Sequence, residues 1–107
     1  MTRRFVVGVS GMSKMQQTAF IEYLRSTRVA WWHWIDDMWL VVDRSGDLHV
    51  RKIRDKLRDI SGPRRSLVIE VRHLGSWAGF GPSADDKNMF EWIRSTWKRP
   101  DDNGHQD

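Results

Sequence analysis

The chain has 107 residues, 39% hydrophobic and 30% charged, with a mean hydropathy of −0.63 and a net charge of +4. That is enough for one globular domain and too little for two, and no apolar run approaches the ~18 residues of a membrane-spanning helix. The chain contains no cysteine, which excludes a disulfide framework, a thiolate metal site and a cysteine nucleophile.

After Met1-Thr2-Arg3-Arg4, the alternation of Phe5, Val7 and Val9 with Val6 and Gly8 predicts a strand over about 3–10. That apolar stretch is too short for a secretory signal, so a cytoplasmic protein is expected. Ser13 and Gln16 stand at capping-box spacing, and Met15, Ala19, Phe20, Tyr23 and Leu24 recur at helical intervals behind them, which predicts a helix over about 13–26. Trp31–Ile35 and Met38–Val42 are aromatic and β-branched runs separated by Asp36-Asp37, the pattern of a tight hairpin. Trp32 and Trp34 then share one face of their strand, and Trp31, His33 and Ile35 the other.

Ser45 or Asp47 is the expected cap of a second helix. Its buried stripe is Val50, Ile53, Leu57 and Ile60, and Ser61-Gly62-Pro63 ends it. Ser66–Arg72 reads as the last strand. A glycine-rich loop, Gly75–Gly81, follows, bending the chain so that Trp77 and Phe80 dock. Ser83-Ala84-Asp85-Asp86 is expected to cap a third helix with an apolar face of Met89, Phe90, Ile93 and Trp97. One domain over 1–98 is expected, followed by a disordered tail over 99–107 that holds one arginine and three aspartates. The order strand, helix, strand, strand, helix, strand is that of a ferredoxin-like βαββαβ sandwich. It is an α+β fold with a four-stranded antiparallel sheet, two helices on one face and an added C-terminal helix.

The segments Trp31–Asp36 with Trp39-Leu40-Val41, Val50–Leu57, Leu67-Val68-Ile69 and Trp77–Phe80 together resemble the SinR-like family of small bacterial and phage-borne proteins. That family is related in fold to the second CRISPR-associated protein, the small subunit of the spacer-acquisition machinery. The resemblance covers about residues 4–97. It implies a ferredoxin-like homodimer whose C-terminal segment often completes the partner's sheet, in a phage or mobile-element, defence-related setting. The nuclease members of the wider group end the first strand with a metal-binding aspartate. The corresponding position here is Ser10, whose hydroxyl is a poor Mg²⁺ ligand.

The residues themselves offer several chemistries. Asp36-Asp37 and Asp85-Asp86 are adjacent carboxylates, but a hairpin tip and a first helical turn both favour acid for structural reasons. His33 lacks an identifiable nucleophile or orienting partner, and the spacings of His33, His49 and His73 match no metal motif. Ser10 and Ser76 each border glycine without forming a nucleophile elbow. No cofactor is implied.

Between Arg44 and Arg65 lie eight basic residues against three acidic ones. Arg51, Arg54 and Arg58 line one side of the second helix. With Arg44, Lys52, Arg64 and Arg65 they form a candidate surface for a nucleic-acid backbone. The competing reading is a solvated face neutralised by Arg51–Asp55 and Asp55–Arg58 pairs. Trp32, Trp34, Trp77 and Phe80 are candidate interface residues. The expected function is therefore a non-catalytic dimeric module that binds RNA or DNA. A protein-interaction module using the exposed aromatics and a metal-dependent ribonuclease are the alternatives.

Overall fold

The computed structural model describes residues 1–72 and 76–98. The expected tail over 99–107, and His73, lie outside the described residues.

The elements run β1 (Arg3–Val9), α1 (Lys14–Ser26), β2 (Ala30–Ile35), β3 (Met38–Asp43), α2 (Val50–Ser61) and β4 (Ser66–Val71). All neighbouring strands are antiparallel, in the order β2-β3-β1-β4. β1 and β2 are therefore parallel and split by β3, and β3 and β4 are parallel and split by β1. These are two interlocked split βαβ units, compatible with the ferredoxin-like sandwich.

The period-2 pattern of β1 decides which face meets the helices. Phe5, Val7 and Val9 are buried there, opposite Val41 and Trp39 on β3 and Val68 on β4. From α1, Phe20 and Leu24 close on them, and from α2, Ile53 and Leu57, with Val50 and Ile60 packed at the margin. Each such side chain contributes about 1.5–3 kcal/mol by leaving water. Both helix-end signals act as read. Ser13 Oγ accepts from Gln16 N–H while Gln16 Oε1 accepts from Ser13 N–H, and Gly62 closes α2 at φ 68°.

The N-terminus of α2 departs from expectation. His49 is its N-cap and makes no side-chain cap bond. Ser45 serves Asp43 instead: Asp43, 2% exposed, accepts from Ser45 N–H and Ser45 Oγ through Oδ1 and from Leu48 N–H through Oδ2. The loop thus folds around a carboxylate rather than capping the helix.

β2 also departs from strict alternation. Its register against β3 shifts between Trp32 and Ile35, so Trp32 opposes Leu40 and Ile35 opposes Met38. The bulge turns Ile35 to the face that Trp32 uses, and Trp34 and Trp32 do not share a regular face.

The expected third helix is the largest correction. Ser83–Ala84 and Lys87–Asn88 form a two-stranded hairpin, β5 and β6, with Asp85-Asp86 as its turn. Helical structure begins only at Glu91 and continues as a π-helical turn, Ile93–Trp97. Asn88 Oδ1, accepting from Phe90 and Glu91 N–H, starts it. The apolar residues read as a helix face still pack together: Met89, Ile93 and Trp97 cover Trp32, Leu40 and Val42 on the sheet face away from α1 and α2. Trp32 Nε1 donates to Met89 O at 2.6 Å, Arg44 Nη2 to Thr96 O at 2.7 Å, and Arg4 Nε to Trp97 O.

Two glycines let the preceding loop lie flat on this cover. A Cβ on Gly81 would fall 1.9 Å from Met89 Sδ, and one on Gly79 would fall 3.0 Å from Phe90 Cε1. Gly81→Ala is expected to displace Met89, weaken the Trp32 bond and cost about 1–3 kcal/mol. Indole fluorescence should shift to the red while the far-ultraviolet helix signal stays unchanged. An unaltered emission spectrum and melting temperature would show that Met89 re-packs freely.

Candidate nucleic-acid interface

The spacing i, i+3, i+7 puts Arg51, Arg54 and Arg58 on one side of α2, clear of the Ile53–Leu57 stripe, and all three are exposed. That side overlooks β4, an edge strand of the sheet. Arg51 and Arg54 form one wall of a groove of about 250 Å³ whose floor is Ser66, Leu67 and Val68. A second groove, of about 330 Å³, continues round the end of the sheet between Arg65, Ser66 and Leu67 on one side and Gly8, Val9, Ser10 and Asp37 on the other. The two share Ser66 and Leu67. The first lies beside α2 and the second, shallower one reaches Ser10 at the end of β1. Arg64 Nη1 lies 3.4 Å from where a Cβ on Gly11 would stand, in the β1–α1 loop.

The expected neutralising pairs do not form. Asp55 pairs with its neighbour Arg54, Nη2 to Oδ1 at 2.8 Å. Among the described residues no salt bridge engages Arg51, Arg58, Arg64 or Arg65. The exposed Arg54–Asp55 pair itself stabilises little, so its guanidinium can exchange carboxylate for another anion at small cost.

Two of the basic residues read from sequence fall elsewhere. Arg44 is half-buried and holds the C-terminal segment through Thr96 O. Lys52 Nζ donates to Asp47 O and lines a separate hollow with Tyr23, Thr27 and Asp43. Of seven candidate basic residues, Arg51, Arg54 and Arg65 line the two grooves, Arg58 shares the side of α2 that carries Arg51 and Arg54, and Arg64 stands by Gly11.

Ser10 is exposed at the end of β1, its N–H donating to Arg65 O at 3.0 Å. Asp37 lines the same groove as Ser10. Its Oδ1 accepts from Gly11 N–H at 3.2 Å, and its carbonyl accepts from Val9 N–H. Asp36-Asp37 is thus the hairpin turn read from sequence. His33 stacks on Trp39 with centroids 3.6 Å apart and 7° between planes, and its Nδ1 meets Met38 O at 3.1 Å. Among the described residues no three His, Asp or Glu side chains come together as a metal site.

The four candidate interface aromatics divide. Trp32 is 4% exposed, covered by its own chain. Trp34 is exposed, Trp77 stacks on Phe90 with centroids 5.9 Å apart, and Phe80 is 100% exposed. Of the two loop aromatics only Trp77 docks. No helix among the described residues is long and apolar enough to cross a membrane.

Compared with known protein families, curated proteins and solved structures, the chain matches none.

Proposed function

We propose that the chain is a nucleic-acid-binding module that tracks a phosphate backbone along the α2–β4 edge, and that it has no catalytic step. The observation that carries this reading is the arginine row: Arg51 and Arg65 line two grooves that share Ser66 and Leu67, and among the described residues no salt bridge engages them or Arg58 and Arg64. Arginine suits the task because its planar fork donates two parallel hydrogen bonds to phosphate oxygens. We infer kinship with the SinR-like proteins, and the mobile-element setting it implies, from the sequence motifs alone. Homodimerisation belongs to the same proposal, supported by exposed apolar side chains at Trp34 and Ile69.

The test is binding of labelled RNA and duplex DNA by the full chain, with the triple variant Arg51→Ala/Arg54→Ala/Arg65→Ala as control. For about four phosphate contacts, raising salt from about 50 to about 300 mM should weaken wild-type binding by about 10²–10³-fold. Removing three of the cations should weaken low-salt binding by at least about tenfold and flatten that salt dependence. Chelator should change nothing. Cleavage that vanishes with chelator would instead establish the ribonuclease. Absence of binding to either nucleic acid would turn the search to a protein partner, for which Phe80 is the most prominent contact.

A further inference from the structure

On the sheet face away from α1 and α2, the 76–97 segment does not close fully on the strands. A cavity of about 290 Å³ remains between them. Its walls include the rings of Trp32, Trp77, Phe90 and Trp97 and the side chains of Met38 and Ile35, and among the described residues no ionisable side chain lines it. The polar group best placed to serve a ligand, the Trp32 indole N–H, is already held by Met89 O.

We propose that this cavity is a binding site for an uncharged, flat apolar molecule of about the size of two fused aromatic rings. Three features point to that class. Ordered water needs two to four polar partners, and among the described residues the lining side chains offer few: the Ser76 hydroxyl and the indole N–H groups of Trp77 and Trp97, that of Trp32 being engaged. An apolar occupant would gain dispersion contacts with the aromatic and aliphatic side chains of the walls. With no charged side chain among the described lining residues, entry of a charged molecule is costly, because its hydration would be lost without full replacement.

The geometry also supplies an entrance. Ile35 and Trp77 line the cavity and are half-exposed, at 47% and 39%. Trp77 reaches its place from the loop that Gly79 and Gly81 hold against Phe90 and Met89. The stack of Trp77 on Phe90 can part without disturbing the four-stranded sheet. The proposal is independent of the arginine grooves, which share no lining residue with this cavity.

The experiment titrates the full chain with naphthalene, and separately with naphthalene-2-sulfonate, while following the seven indole N–H resonances by NMR. Naphthalene is expected to bind saturably, shift the Trp32 and Trp97 signals first and raise the melting temperature. The sulfonate should bind at least about tenfold more weakly, reflecting the cost of desolvating its charge. Ile35→Trp, at an exposed position where folding is safe, narrows the entrance and should weaken naphthalene binding about tenfold. Three results would overturn the proposal: no saturable shift in the wild-type chain, equal binding of the sulfonate, or binding unaffected by Ile35→Trp in a variant that melts normally.

Discussion

Replacing Trp39 by alanine is expected to destabilise the chain by about 3–5 kcal/mol, a large share of the 5–15 kcal/mol of a typical domain. Trp39 is fully buried at the centre of the sheet. The ring lies face to face with His33, centroids 3.6 Å apart, and edge-on to Phe20 at 4.9 Å. Truncation removes both ring contacts and opens a cavity between β3 and α1 that neither rigid element can collapse to fill. Trp39→Phe should cost far less than its lost volume suggests. Trp39 Nε1 is buried with no hydrogen-bond partner, and phenylalanine removes that unsatisfied donor, worth about 1–3 kcal/mol of desolvation. Trp34→Ala, at an exposed position, should stay within about 0.5 kcal/mol. Urea unfolding of the three variants checks the order. A Trp39→Phe as damaging as the alanine would mean that the indole N–H is satisfied in solution.

The parts of the fold that the sequence makes legible are those governed by one signal at a time. The alternation of β1 and the Val50–Ile60 stripe of α2 each have a single periodicity and a buried face, so strand, helix and core follow. The misreadings fall where two signals compete. Asp36-Asp37 and Asp85-Asp86 are the same dipeptide. The first stands between β-branched runs and reads as a hairpin turn. The second follows Ser83-Ala84 and precedes an apolar face at helical spacing, so it reads as a helix cap. Both are hairpin turns, because acidic turn residues also suit helix starts. The bulge in β2 has no sequence mark, since Trp32, Trp34 and Ile35 are equally good strand residues on either face.

The candidate site is legible to a similar degree. Helical spacing alone places Arg51, Arg54 and Arg58 on one side. It does not place Arg65 beside them, because that requires β4 to lie at the sheet edge next to α2. Sequence counts also treat Arg44 and Lys52 as equivalent to the rest, although the fold gives both to backbone carbonyls. The apolar cavity leaves no composition signal, because its lining residues are ordinary core residues that fail to meet.

Asp43→Ala is the other substitution with a large expected effect, and its size should depend on pH. Burial pushes the Asp43 carboxyl up. The hydrogen bonds from the Ser45 hydroxyl and from the Leu48, Ser45 and Gly46 N–H groups outweigh that and hold it below its ordinary value. A carboxylate with a depressed folded-state pKa stabilises the fold above its unfolded pKa, near 3.9, and that stabilisation is lost as pH falls through the folded value. At neutral pH the alanine variant leaves the buried Leu48 N–H and the part-buried Ser45 donors without an acceptor, a cost of about 1–3 kcal/mol. Asp43→Asn keeps one oxygen but turns an NH₂ toward either the Ser45 or the Leu48 donors, so most of that cost remains. Below about pH 4 the wild-type chain begins to lose the charge-dependent stabilisation that the variants already lack. The gap in urea midpoint between wild type and Asp43→Asn should therefore narrow as pH is lowered from neutral to about pH 3. A gap that stays constant across that range would mean that packing, rather than the charge of Asp43, holds the loop that leads into α2.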